Sequence, residues 1–203
     1  KRSVREMAKR GSYVTYVSAR GRVTRTSLEV AVRRDVVTSV TQASAELTIE
    51  RCGEQDLDLV EVTSHAGSRP EHALWQGKVY SLHGKTEGYE LLAIATGYGE
   101  ADGLCGINCR HSFYPYYPGL SKQGEEPPGK RENEAVYNLT QQQRHIERQI
   151  RSAKRESAVC QAGGDFVGAE RATGRVKDWQ SRMRDFIDDS GLTRQYPREQ
   201  IYS

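Results

Sequence analysis

Apolar residues in the first long periodic stretch recur at Leu28, Val32, Val36, Val40 and Ala43, with Leu47 further on. That i, i+4 rhythm predicts one amphipathic helix, capped by Thr26 or Ser27, ending near Cys52-Gly53 and turning its apolar side towards the middle of the chain. Before it, Tyr13-Val-Thr-Tyr-Val-Ser and Val23-Thr-Arg-Thr alternate on either side of Ala19-Arg-Gly-Arg, the pattern of a β-hairpin. Residues 57–62 (LDLVEV) alternate as a strand, and residues 1–10 read as the end of a basic helix stopped by Gly11. From Asn138 or Thr140 a second helical rhythm runs through Leu139, Gln143, Ile146, Ile150 and Ala153, with Arg144, Arg148, Arg151, Lys154 and Arg155 on its outer face. Gly163-Gly164 breaks it. A third helix, with Phe166, Ala169, Val176, Trp179, Met183, Phe186 and Ile187 inward, stops at Ser190-Gly191 and completes an antiparallel helical hairpin. The expected fold class is α+β. Its parts are a basic helix end over 1–12, a small mixed domain over 13–119, a proline-bearing linker over 120–137, and the helical hairpin and tail over 138–203.

Over residues 64–119 the periodicity fails. This stretch holds four of the five histidines, two of the four cysteines and one of the two tryptophans. Such a segment is either a functional site or an irregular packed core. His65, His72, Cys105, Cys109 and His111 are candidate metal ligands, and Cys with His suits zinc. Against that, Cys105 and Cys109 form a C-x3-C pair, and His65 to His72 lacks the spacing of a helical ligand pair. The alternative is that the histidines bond to loop backbone while the cysteines pack as small hydrophobes.

A Cys109/His111 or Cys109/His72 pair also has the groups of a nucleophile and its base, but without a recognisable local signature. The zinc-deaminase pattern and the phosphate-binding glycine loops are absent. An enzyme reading, a toxin- or nuclease-like metal-assisted hydrolase or transferase, requires His65, His72, Cys109 and His111 to converge in an open pocket. An architectural reading instead makes Trp75, Phe113, Tyr114, Tyr116 and Tyr117 a small core, with Arg69 and Arg110 bonding to loop carbonyls and acids. The alternating prolines and aromatics of HSFYPYYPG suit an extended edge with one face packed. The four cysteines are too sparse for a disulfide scaffold and read as reduced thiols.

Charge adds a partner. Residues 1–34 carry ten Lys/Arg against Glu6 and Glu29, whereas residues 35–126 carry six against fourteen acids. A basic end on an acidic body points to a polyanion, and Arg20, Arg22, Arg25, Arg33 and Arg34 are candidate phosphate contacts. So are Arg148, Arg151, Lys154 and Arg155 on the second helix; a merely solvated face is the alternative there. No apolar run approaches the roughly 18 residues needed to span a bilayer. The chain opens on Lys1, so the expectation is a fragment or a processed product.

The texts SHAGSRPEHALWQGKVYSL and TGYGEADGLCGINCRHSFYPYYPG resemble the tailed-phage minor capsid protein 2 family, itself similar to Mu-type head morphogenesis proteins. Arg69, Pro70, His72, Trp75, Gly77, Asn108, Cys109, Arg110 and His111 carry the likeness. The helical texts VRRDVVTSVTQASAEL and YNLTQQQRHIERQIRSAKR and the ending GLTRQYPREQIYS extend it over nearly the whole chain. The resemblance implies a structural protein of the phage head, close to the portal, acting in head assembly and in handling packaged DNA without a defined reaction. It implies portal and major capsid proteins and non-specific double-stranded DNA as partners. It places the protein in a virion assembled in the bacterial cytoplasm, with no membrane. No cofactor is implied, which leaves zinc on the His/Cys group as the single candidate.

Overall fold

The computed structural model describes residues 11–17, 21, 23–124 and 126–201. The expected basic helix end over residues 1–10 lies outside these, as do Arg20 and Arg22. The fold is α+β and divides into two compact units, one spanning Val32–Asn138 and the other formed by the described residues up to Ala31 with those from Leu139 onward. This division differs from the boundaries expected at 13–119 and 138–203, because the β-hairpin belongs with the helical unit.

In that helical unit, strands β1 (Tyr13–Val17) and β2 (Val23–Ser27) pair antiparallel, with Tyr13 opposite Ser27 and Val17 opposite Val23. The chain then enters helix α1 (Leu28–Glu54). Helix α3 (Lys130–Ala162) and helix α4 (Phe166–Ser190) form the expected hairpin, broken at Gly163-Gly164. Their antiparallel pairing is fixed by Ser157 Oγ 3.0 Å from Thr173 Oγ1 and by the rings of His145 and Trp179 at 6.1 Å. Asp165 caps α4 by accepting from Gly168 N, and Gly191 ends it in the left-handed conformation (φ +67°) that glycine adopts without strain. Ile150, Ala153, Cys160, Ala169, Ala172 and Met183 form the buried apolar positions. Phe166, expected inward, is exposed, while Gly168 and Ala169 of the same first turn of α4 are buried.

The central unit is built on a three-stranded antiparallel sheet ordered β4 (Val79–Ser81), β3 (Leu59–Val62), β5 (Phe113–Pro115). The strand expected over 57–62 is its middle member, and all four of its residues are buried. β5 is the extended edge that the proline–aromatic alternation suggested, with Phe113 buried and Tyr114 exposed. Helix α2 (Leu92–Thr96) ends at Gly97, again left-handed. Val60, Val62, Trp75, Tyr80, Leu92, Leu104 and Phe113 pack with Ala45 and Cys52 of α1 into one cluster.

Two expectations need correction. The stripe of α1 at Leu28, Val32, Val36, Val40 and Leu47 is exposed, and the helix buries Ala45 and Cys52 with Ile49 half-buried beside them. Ala45 and Leu47 lie about 200° apart around a helix, so the large aliphatic side chains and the small core-facing ones occupy different faces. Periodicity located the helix but chose the wrong side. The second long helix starts at Lys130, not near Asn138, so the linker shrinks to 120–129. Pro127-Pro128-Gly129 is the actual break, and the first turns of α3 are held by Asn133, whose Oδ1 accepts from Ser68 N at 2.9 Å and whose Nδ2 donates to Ser68 O at 2.9 Å.

Candidate metal centre

Two loops of the central unit deliver the site. The first follows β3 and carries His65, Arg69, the short 3-10 turn His72–Leu74, then Trp75 and Gln76. Ala73 N donates to Arg69 O and Gln76 N to His72 O, so His72 is set by a closed turn of backbone. Gly77 then reverses the chain at φ +67°, where a Cβ would stand 2.6 Å from Pro127 Cγ. Only glycine meets both conditions.

The second loop, 97–111, is wound tightly on itself. A Cβ on Gly103 would fall 1.8 Å from Gly97 O, and one on Gly106 would fall 2.6 Å from Glu100 O. Cys105 and Asn108 both adopt positive φ, 58° and 57°, a conformation that Asn tolerates but Cys rarely adopts. Arg69 Nη2 donates to Ile107 O at 2.7 Å and staples the two loops together. This is the carbonyl bond expected of Arg69; Arg110 is exposed.

Where the loops meet, His72, Cys109 and His111 converge, their ligand atoms all within 4.8 Å of one another. Cys109 Sγ is 3.8 Å from His72 Nδ1 and 3.6 Å from His111 Nδ1. The other ring nitrogens fix the tautomers. His72 Nε2 lies 2.8 Å from the carbonyl oxygen of Asp102, which only accepts, so that nitrogen carries the proton. Gln76 Oε1 accepts from the backbone N–H of His65, which orients the amide, and it stands 3.0 Å from His111 Nε2. His111 therefore also bears its proton on Nε2. Both Nδ1 lone pairs then face a single sulfur.

The remaining candidates stand close by. His65 stacks on His111 with ring centroids 4.4 Å apart, its Nδ1 donating to Ala66 O at 3.0 Å. His65 Nε2 is buried and has no hydrogen-bond partner among the described residues. Cys105 is outside the group, its thiol turned to His111 O at 3.8 Å. Trp75 closes one side, 4.6 Å from the His72 ring. Of the expected aromatic core, Trp75 and Phe113 are buried, Tyr116 is half-buried, and Tyr114 and Tyr117 are exposed. Pro70 and Asn108 are exposed.

Burial sets the charge states of the bare cluster. It pushes His111 down to about 3, with His65 and His72 adding to the effect, and it lowers His72. It raises the Cys109 thiol, and it raises Cys105 to about 12, with Cys109 adding to the shift. The three converging groups are 2%, 5% and 1% exposed for His72, Cys109 and His111. An enzyme of the metal-assisted type needs them at an open pocket, whereas here they converge under cover.

Sequence reasoning missed two classes of residue. Gln76 and Asp102 orient the imidazoles but carry no signal of their own, since one acts through an amide and the other through its backbone. Asp58 is the second kind. Its buried carboxylate accepts from Ser81 Oγ (2.6 Å), His83 N (2.9 Å), Lys85 N (3.2 Å), Thr86 N (3.0 Å) and Thr86 Oγ1 (2.9 Å), organising the loop after β4. In the sequence it is one acid among many.

The candidate phosphate contacts fare unevenly. Arg155 Nη1 pairs with Glu29 at 2.8 Å, Arg151 Nε lies 3.5 Å from the same carboxylate, and Arg151 also donates to Arg198 O. Lys154 Nζ donates to Gln200 Oε1 at 3.0 Å. The chain beyond α4 returns over this side of α3, with Glu199 buried and gripped by Arg194 at 2.6 and 2.7 Å. Arg34 pairs with Asp35 at 3.2 Å. Arg25, Arg33 and Arg148 are exposed.

A minor capsid family model, "Phage minor capsid protein 2", matches residues 1–188. The chain belongs to that family of phage structural proteins. It is 29% identical over 184 residues to a "Structural protein" of Lactococcus phage LL-H, covering 87% of this chain and 49% of that protein. It is 34% identical over 108 residues to a "Structural protein" of Lactococcus phage mv4, covering 52% of this chain and 86% of the relative. The chain thus spans about half the length of the LL-H protein. No solved structure matches it.

Proposed function

We propose that the protein is a structural component of the phage particle that acts in head assembly near the portal and contacts packaged DNA through its backbone phosphates. The observation that carries the reading is membership of the minor capsid family over residues 1–188. The likeness to two proteins called structural in their own phages supports it. The DNA part draws on the basic composition of residues 1–34 and on the exposed Arg25, Arg33 and Arg148. Arg151, Lys154 and Arg155 are engaged within their own unit and contribute less to it.

Contacts of this kind release counterions and ignore base sequence. Binding of the full chain to duplex DNA should therefore weaken as salt rises, equally for unrelated sequences. Replacing Arg25, Arg33 and Arg148 together by Gln should flatten the log–log salt slope by about 2 to 3. Absence of binding at low salt removes the DNA contact. Failure of the chain to co-assemble with portal and major capsid proteins of its own phage removes the placement in the head.

A further inference from the structure

We infer that His72 Nδ1, Cys109 Sγ and His111 Nδ1 form a structural zinc site that clamps the 72–76 turn to the loop entering β5. The case rests on hydrogen-bond accounting. With His72 Nε2–H given to Asp102 O and His111 Nε2–H given to Gln76 Oε1, both Nδ1 atoms are bare lone pairs. Both aim at one thiol, which has a single hydrogen to offer. His65, with its Nδ1–H given to Ala66 O, adds a third buried lone pair that meets no donor. Buried polar atoms are ordinarily satisfied, and two imidazole nitrogens facing one S–H cannot both be.

A cation resolves the mismatch, because it takes lone pairs and needs no hydrogen. Zinc at ~2.3 Å from sulfur and ~2.05 Å from nitrogen, with tetrahedral angles, sets the two ligand atoms about 3.6 Å apart. The sulfur lies 3.6 and 3.8 Å from the two nitrogens. Imidazoles whose other nitrogen donates to a carbonyl or amide oxygen are oriented as zinc ligands usually are. His65, its ring stacked on that of His111 with centroids 4.4 Å apart, stands beside these three and is not among the ligand atoms that converge. Binding balances simply: the Cys109 S–H bond breaks, its proton leaves to solvent, and a sulfur–zinc bond forms. Burial of all three ligands makes the site a clamp and not a reaction centre.

The inference concerns this chain's own fold and stands apart from the proposed role in head assembly. Full-length protein expressed with zinc should carry about one zinc per chain by elemental analysis. Stripped and titrated with Co2+, the wild-type chain should develop a near-ultraviolet thiolate-to-cobalt band, which Cys109→Ser abolishes and Cys105→Ser retains. His72→Gln should weaken cobalt binding at least 10-fold. No stoichiometric zinc together with no thiolate band in the wild-type chain overturns the site. So does a band that survives Cys109→Ser. The wild-type titration decides the matter even where a variant fails to fold.

Discussion

A single carboxylate shows how much one residue can organise. Burial alone pushes the Asp58 carboxyl up, but bonds from Ser81, His83 and Thr86 outweigh it and hold the group at about 2, below its ordinary 3.8. A depressed folded-state value means that the ionised form stabilises the fold. That contribution is complete above the ordinary carboxylate range and is lost as pH falls from about 4 towards 2. Its size is about 2 kcal/mol. Urea unfolding should therefore show stability dropping by that order across this interval in the wild type, and much less in Asp58→Asn. At neutral pH the variant should itself be weaker by about 2–3 kcal/mol, because an amide cannot accept from all five donors. A flat wild-type profile between pH 4 and 2 would show that Asp58 is not held ionised. The sequence made the His/Cys group legible at this scale, because those residue types are rare and carry chemistry. It hid Asp58, Gln76 and Asp102, because their importance comes from what the fold places around them.

The elements were legible wherever local propensity and a breaker agreed. The hairpin strands, the break at Gly163-Gly164 and the stop at Gly191 all follow from neighbouring residues, and they stand where expected. What local signals do not encode is which face of a helix meets the core. α1 illustrates this: its large aliphatic residues form the more regular stripe, yet Ala31, Ala45 and Cys52 are the buried ones. Close approach to a packed sheet favours small side chains, and that preference leaves no periodic mark. The short strand β4 escaped for a related reason, since three residues are too few to show alternation, whereas β5 was legible as an extended edge only through its prolines and aromatics. The exposed face has a measurable consequence. Val40, 65% exposed, should accept Gln with a change in unfolding free energy within about 0.5 kcal/mol. Ile150, fully buried in α3, should cost about 2–5 kcal/mol on truncation to Ala. Chemical denaturation of the two variants tests the contrast, and a large loss in Val40→Gln would mean the stripe is covered in the folded chain.

For the whole molecule, the division into two units carries a prediction of its own. Each unit has one tryptophan. Trp75 lies within the central cluster, whose members all fall between Val32 and Asn138. Trp179 sits half-buried in α4, under the Arg182 guanidinium at 4.6 Å. The buried apolar residues of the helical hairpin, from Ile150 to Met183, form a separate set. Substitutions in cores that share no residues act independently when the cores unfold as distinct cooperative units. With Trp179→Phe the fluorescence follows the central unit, and with Trp75→Phe it follows the helical one. Adding Asp58→Asn to the first background should lower the midpoint seen by Trp75, while adding Ile150→Ala there should leave it nearly unchanged. In the Trp75→Phe background the pattern should reverse. If either substitution moves both signals equally, the units unfold as one body, and the division seen in the fold is not a division in stability.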